Sequence, residues 1–346
     1  MKNNLFDPII SRDSEKYLLE NGKKFDRVVV IGANGLLGSY LLNFISIVNE
    51  KLGNNLKPIG FARSTTPYLR ELVKNRQIEI FPIDNLETKL ANLQNINVIH
   101  AASPASYFKV SKDVASLVES NIQLTDRLHS ILEKTGGKFT YFSSGEIYGI
   151  SPKLPTSEAD YSGFDHLSPH GIYAEVKRFT ELKAKIWNER TGIPVTILRI
   201  FHTFGPGIDE SDRRIFSSII YDLVNKKDIV LNSNGDARRS FLYSSDLAKA
   251  VNILEQSDGF EILNVAGNNE ITISDFAKMV SSHDVGSKVI YSQNMKNSTL
   301  PQSPIMRGFA DTSKLKNFGW QPSTSIEEAI LNTIESVKWR RSYNFQ

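Results

Sequence analysis

Val28-Val-Val-Ile-Gly32-Ala-Asn-Gly35-Leu-Leu-Gly38-Ser39 decides how this 346-residue chain is read. Its consecutive apolar residues suit a strand buried on both faces of a parallel sheet. Beyond the glycines, Leu36, Leu37, Tyr40, Leu41, Phe44 and Ile45 recur at helical spacing. The period changes at the glycines, so strand, turn and helix follow one another. Gly32 permits a tight turn, Gly35 lets backbone N–H groups approach a pyrophosphate, and Gly38 lets the helix lie close on the strand with its N-terminus towards the anion. A glycine-rich turn with no ligand is the blander reading. Strand before and helix after favour a dinucleotide site.

Upstream, residues 1–26 form an extension in which Ser11 to Glu20, before Asn21-Gly22, reads as a short capped helix. Downstream, 56–62 predicts the second strand and ends at Arg63, about where such folds select their cofactor. An acid there would bind the ribose 2′-hydroxyl, whereas an arginine can receive a 2′-phosphate, so Arg63 leans towards NADP. Residues 77–83 predict a third strand, with Asp84 placed to hydrogen-bond an adenine amino group. Residues 97–102 predict a fourth, followed by Ser103-Pro-Ala-Ser106 at the carboxyl end of the sheet, where ligands bind. A long helix over 112–134, a strand over 138–143, a second long helix over 172–190 and a strand over 195–201 complete the alternation.

The fold class is therefore α/β, a doubly wound parallel sheet over 27–204. After Gly205-Pro-Gly207 the rhythm loosens, with a helix near 215–224 and strands at 228–231, 240–243 and 261–266. A smaller C-terminal α/β substrate domain over 205–346 is expected, with 240–266 returning to the first domain.

Composition narrows the function. Hydrophobic residues at 40% and charged residues at 23% are an ordinary balance for a folded chain. The net charge of +3 comes from scattered Lys and Arg, so nothing calls for nucleic acid or an anionic membrane. With no cysteine, disulfides, thiolate catalysis and cysteine-ligated metals are excluded, and no metal is expected. Met1-Lys-Asn-Asn lacks an apolar signal core and no run approaches the roughly 18 apolar residues of a span, so a cytoplasmic protein is expected.

The chemistry lies in Tyr173-Ala-Glu-Val-Lys177, a phenol and an ammonium one helical turn apart on one face. A free phenol has a pKa of roughly 10, and a neighbouring ammonium favours the phenolate, which makes Tyr173 a usable base. Ser143-Ser144 at the end of the preceding strand can add a hydroxyl beside it that orients a substrate alcohol.

These features resemble the extended short-chain dehydrogenase/reductase family, the NAD(P)-dependent nucleotide-sugar epimerases and dehydratases, over nearly the whole chain. The family pattern is matched by Gly32, Gly35 and Gly38, Ser144, Tyr173 with Lys177, and Asp311-Thr-Ser-Lys314. The resemblance implies a Rossmann fold in which Ser144 and Tyr173 bind the sugar hydroxyl being oxidised, usually at C4. Tyr173 takes the proton, Lys177 holds the nicotinamide ribose and hydride passes to the cofactor. It further implies cofactor contacts at Asn34, Leu36, Leu37, Asn85, Ala101, Ala102 and Ser103. The nucleotide diphosphate is expected on the C-terminal part, where Arg239 in Gly235-Asp-Ala-Arg238-Arg239 matches an arginine that binds pyrophosphate. Ser106, Arg214, Phe216 and Arg307 are further substrate candidates. His202 stands where family members often carry Asn. Homodimerisation through the helices at 112–134 and 172–190 rests on the same analogy.

Glu146, two positions after Ser144, divides the subclasses. Dehydratases and uronate decarboxylases tend to have Glu there, and many 4-epimerases a small neutral residue; a carboxylate beside C5 of a 4-keto sugar can act as a general base. Ala102-Ser-Pro-Ala-Ser106 and Tyr173-Ala-Glu-Val-Lys177-Arg178 point to the decarboxylases, but His170 replaces their Arg. Gly145 replaces the Asp that some dehydratases use as acid. The expectation is C4 oxidation of a nucleotide-diphosphate sugar, with 4,6-dehydration or related C5-proton chemistry ahead of epimerisation. A C4 dehydrogenase or keto-reductase and a uronate decarboxylase stand as alternatives. A non-catalytic NADP sensor is remote, because such proteins usually lose the Tyr/Lys pair.

Overall fold

The computed structural model describes residues 7, 9–10, 12–13, 27–53, 57–104, 107–292 and 303–342. Most of the helix expected before Asn21, the start of the strand expected at 56, and Ser106 lie outside the described residues.

The first part alternates β1 (Arg27–Ile31), α1 (Leu36–Lys51), β2 (Ile59–Ala62), α2 (Pro67–Asn75), β3 (Glu79–Pro82), α3 (Leu86–Leu90) and β4 (Ile96–His100). There follow α4 (Tyr107–Lys112), α5 (Val114–Val118), α6 (Leu124–Thr135), β5 (Gly137–Ser144), α7 (Pro169–Thr191) and β6 (Val195–Ile200). The later elements are β7 (Thr203–Phe204), α8 (Ile215–Val224), β8 (Ile229–Leu231), β9 (Arg238–Ser240), β10 (Leu242–Tyr243), α9 (Ser244–Ile253) and β11 (Phe260–Val265). Then come β12 (Glu270–Thr272), α10 (Ile273–Ser281), β13 (Val289–Tyr291), β14 (Arg307–Gly308), α11 (Ser313–Lys316) and α12 (Ile326–Ser342).

Seven strands form one parallel sheet in the order β11-β6-β5-β4-β1-β2-β3. β1 lies inside it, with Val29 between Ile59 and Val98. Its side chains alternate, Val29 and Ile31 into the core on one face and Val30 into the core on the other, which is why an unbroken apolar run was needed. Strand order reverses between β1 and β4, and the glycine turn leaves the sheet at this switch point.

A second core gathers α8, α10 and α12, with Phe216, Ile220, Phe276 and Ile334 buried together. Leu36 of α1 and Ile9 of the extension reach into it, while Ile10 packs into the sheet core. Two small sheets, β12-β9-β14 and β8-β13, and the pair β7-β10 carry the later loops.

Two helices differ from expectation. The helix expected over 112–134 starts at Val114, where Asp113 caps it by accepting from Ser116 N at 2.9 Å, and runs on to Thr135 with its register shifted by a π-helical turn, Glu119–Gln123, between α5 and α6. The helix expected over 172–190 starts earlier, at Pro169, because Ser168 Oγ caps Gly171 N at 3.0 Å. No helix among the described residues is long and apolar enough to cross a membrane.

Candidate active site

The glycine turn is obligatory by geometry. Gly32 has φ +90°, and a Cβ on it would sit 2.8 Å from the Ala102 backbone. A Cβ on Gly38 would lie 2.2 Å from the Gly32 carbonyl oxygen. Helix α1 starts after Gly35 with no side-chain cap and no acid in its first turn, so its N-terminal N–H groups and dipole are left for an anion. Such a cradle fits a dinucleotide pyrophosphate. Asn34 Oδ1 accepts from Thr66 N at 3.0 Å and ties the turn to the loop after β2. Ala101 N donates to Ile31 O at 2.9 Å, which brings the end of β4 alongside the turn. Leu36 is buried in the second core and Leu37 lines the adjoining cleft. Arg63 follows β2, and Asp84 and Asn85 lie in the short turn after β3.

Ser144 ends β5, and α7 brings Tyr173 and Lys177 beside it. The Tyr173 hydroxyl interacts with Ser144 and Ser103, and Ser144 Oγ accepts from Glu146 N at 3.2 Å. Lys177 Nζ donates to the Phe142 carbonyl at 2.8 Å and lies 4.8 Å from the Tyr141 ring centroid. The electrostatics correct the sequence expectation for Tyr173. Burial pushes the phenol up to about 12, and the Glu146 carboxylate adds to the rise, while the Ser144 and Ser103 hydrogen bonds and Arg214 oppose it. Burial also brings Lys177 down to about 7, with Glu181 opposing. Desolvation outweighs the single helical-turn neighbour on which the sequence argument relied.

Asn121 was missed. It is buried in the π-helical turn, donates from Nδ2 to Ser103 Oγ at 3.1 Å and accepts at Oδ1 from Tyr141 OH at 2.9 Å. It therefore holds the serine that touches Tyr173. The available signal was an Asn inside a helical pattern with Thr125 four residues on, whose Oγ1 donates to the Asn121 carbonyl.

Ser144, Glu146, Tyr173, Lys177, His202, Arg214, Phe216 and Arg239 share one cleft of about 600 Å³. Arg239, itself buried, donates from Nε to His202 Nε2 at 3.1 Å. Burial, with Arg239 and Arg214 nearby, holds His202 well below the usual range, so its imidazole is neutral and can accept that bond. Arg214 is paired with Asp212 at 2.6 Å and stands 4.7 Å from the Phe216 ring. Arg307 is not brought in. Met306 and Gly308 line the cleft, and Arg307 between them is paired with Glu270 at 2.7 Å and half exposed, as strand alternation requires. Arg213 and Asn232, which also line the cleft, were missed; no spacing marked them. Gly145 has no room for a side chain, since a Cβ would lie 2.8 Å from Phe201 Cε2 and Cζ.

A parallel sheet with a glycine turn at its switch point, and a serine, tyrosine and lysine meeting beyond it, defines the short-chain dehydrogenase/reductase class. Within that class the chain belongs to the NAD dependent epimerase/dehydratase family, whose model matches residues 28–266. It is 26% identical over 324 residues to UDP-glucuronic acid decarboxylase 1 of Arabidopsis thaliana, covering 92% of this chain and 71% of that one. It is 25% identical to UDP-glucuronic acid decarboxylase 6 of the same plant, covering 93% and 92%. Among solved structures, a UDP-N-acetylglucosamine 4-epimerase from Methanobrevibacter ruminantium, in complex with UDP-N-acetylmuramic acid, matches with a TM-score of 0.76 at 25% identity over 93% of this chain and all of that one. The UDP-glucuronic acid 4-epimerase of Bacillus cereus, in complex with UDP-glucuronic acid and NAD, shares the fold with a TM-score of 0.74 at 22% identity, over 92% of this chain and all of that one.

Proposed function

We propose that the protein is a nucleotide-sugar enzyme that oxidises a UDP-hexuronate at C4 and decarboxylates it. The observation that carries this reading is the shared cleft of Ser144, Tyr173, Lys177 and Glu146, open towards Arg214 and Arg239. When bound, NAD(P) would take up the C4 hydride and give it back after decarboxylation, and its positive charge would favour the Tyr173 phenolate. The cradle of Gly32, Gly35 and Gly38 would hold its pyrophosphate, and Arg63, with no acid in its place, gives tolerance for a 2′-phosphate.

Ser144 and Tyr173 orient the C4 hydroxyl, and Tyr173 takes its proton. With a ketone at C4 and a carboxylate on C5, the C5–C6 bond breaks, carbon dioxide leaves and the electron pair passes into the C4 enolate. Glu146 then passes a proton to C5, and Tyr173 returns its proton to the C4 oxygen as the ketone is reduced. Arg239 and Arg214 hold the diphosphate by charge-assisted hydrogen bonds, beside the neutral His202. Residues 205–346 form the substrate-holding part, with 240–266 belonging with the first domain.

What turns the choice from dehydration is Gly145. Expelling a C6 hydroxyl needs an acid beside the Glu146 base, and the Phe201 ring occupies the space a side chain at 145 would need. A second reading, 4-epimerisation, is favoured by His170, which packs at 5.6 Å from Phe164 where the decarboxylases have an arginine. Incubation with UDP-glucuronic acid in heavy water decides between them by mass spectrometry together with proton NMR of the recovered sugar. Loss of one carbon dioxide with one deuterium gained at C5 is the expected product; a sugar of unchanged mass, inverted at C4, would overturn decarboxylation.

We also propose a homodimer. Phe179, Leu182 and Ile186 form an apolar stripe along α7 at 50%, 53% and 55% exposure, at the spacing of one helix face. Leu182→Glu should then yield monomers in sedimentation.

A further inference from the structure

Behind the row of Ser144, Tyr173 and Lys177 lies a buried ion pair for which the proposed reaction has no use. Glu181 sits one turn beyond Lys177 on α7, on the same helix face, and is buried. Arg199 on β6 grips its carboxylate, with Nη2 at 2.7 Å from Oε2 and Nε at 3.1 Å from Oε1. Ser143, next to Ser144 on β5, donates its hydroxyl to Glu181 Oε1. Arg199 is anchored in turn by Tyr148 OH and the Glu158 carbonyl, both at 2.9 Å.

We propose that Glu181 is a positioning residue, the counter-ion one helical turn away that keeps the buried Lys177 ammonium charged for its bond to the Phe142 carbonyl, with Arg199 and Ser143 fixing its own carboxylate. This rests on the functional reading only in assigning Lys177 to the active site. Lys177 faces Tyr173 on its own helix, Tyr141 on β5 and His100 on β4, and none of these supplies a carboxylate. Glu146, on the turn after β5, acts on Tyr173, and Glu119 on the π-helical turn is exposed. Arg199 is spent on Glu181 and Tyr148. The direction of the electrostatics agrees, since Glu181 opposes the fall that burial imposes on Lys177. The spacing Tyr173, Lys177, Glu181 thus places base, cation and counter-ion on one stripe of α7.

The experiment needs no sugar. Limited reductive methylation of the whole protein as a function of pH, with peptide mass spectrometry at Lys177, reads the protonation midpoint of that amine directly. In Glu181→Gln the midpoint should fall by about one pH unit or more, the size of a lost buried opposite charge. Methylation at a fixed pH below the midpoint then rises about tenfold. Glu181→Gln strands the buried Arg199 guanidinium without its carboxylate and should cost stability; Glu181→Gln with Arg199→Gln removes both charges and should lower the midpoint in the same direction but by less, because a cation goes as well. The pH midpoint of NAD binding, followed by fluorescence, should fall in step. A folded variant of either kind that is less heat-stable but has an unchanged Lys177 midpoint would overturn the proposal and make the pair a purely structural bridge. Failure of the sugar reaction in the wild type would leave this readout intact and count against the proposed function alone.

Discussion

Arg63 Nη1 donates to Ser116 Oγ at 3.1 Å, linking the end of β2 to helix α5 across the mouth of the dinucleotide cradle. The bond is exposed and has a neutral acceptor, so a 2′-phosphate can displace it at little cost. Arg63→Ala should weaken NADP by the worth of a charged hydrogen bond, about 1.5–3 kcal/mol or roughly 10- to 150-fold, and leave NAD nearly unchanged. Titration of both cofactors by fluorescence checks this. Equal losses would remove the case for a 2′-phosphate site.

Tyr173→Phe removes the hydroxyl that meets Ser144 and Ser103 but keeps the ring that packs with Val110 and Leu117. Reduction of bound cofactor on adding sugar should fall by about 10²–10⁴-fold, with cofactor affinity little changed. Lys177→Ala should damage both. A single-turnover trace at the nicotinamide absorbance gives the answer, and normal reduction in Tyr173→Phe would place the base elsewhere.

The parts legible in the sequence were those with local periods. The apolar run before Gly32 and the four-residue step from Tyr173 to Lys177 are each settled by the geometry of one element. Asn121 was hidden because its role depends on a π-helical turn that shifts the helix register locally. The Glu181–Arg199 pair joins a helix to a strand of the sheet, and no spacing announces a bond between two elements. Arg307 misled for a related reason: its neighbours line the cleft, and strand parity turns it away. The raised Tyr173 follows from burial against the sheet, which the helix pattern alone does not give.

Glu146 follows Ser144 by two residues on a short turn, with its backbone N–H bonded to Ser144 Oγ at 3.2 Å. Its side chain lines the same cleft as Tyr173, and its carboxylate acts electrostatically on that phenol. Glu146→Gln should still reduce bound cofactor but lose deuterium incorporation at C5 by about 10²–10⁴-fold, with reduced enzyme accumulating. Substrate and product recovered from heavy water carry the readout. Equal incorporation in both proteins would make Glu146 a support for the turn and require another base.

Asp7 ties the N-terminal extension to both halves of the molecule. Its carboxylate accepts from Tyr40 OH on α1 and from Ile9 N at 2.8 Å, with Tyr243 beside it. Burial raises it from 3.8 to about 6, although the hydrogen bonds and their tyrosines pull the other way. Below pH 3.8 it is protonated whether folded or unfolded and contributes no pH dependence. Between there and about 6 the unfolded chain has released its proton and the folded chain has kept it, so stability falls as pH rises through that window and levels off above it. A shift of this size corresponds to roughly 3 kcal/mol at neutral pH. Asn at this position keeps an acceptor for Tyr40 and never ionises. The stability of Asp7→Asn relative to wild type should therefore rise steadily between pH 4 and 6 in urea unfolding and stay constant above, whereas a difference that does not change with pH would mean that Asp7 is not buried as a carboxylate.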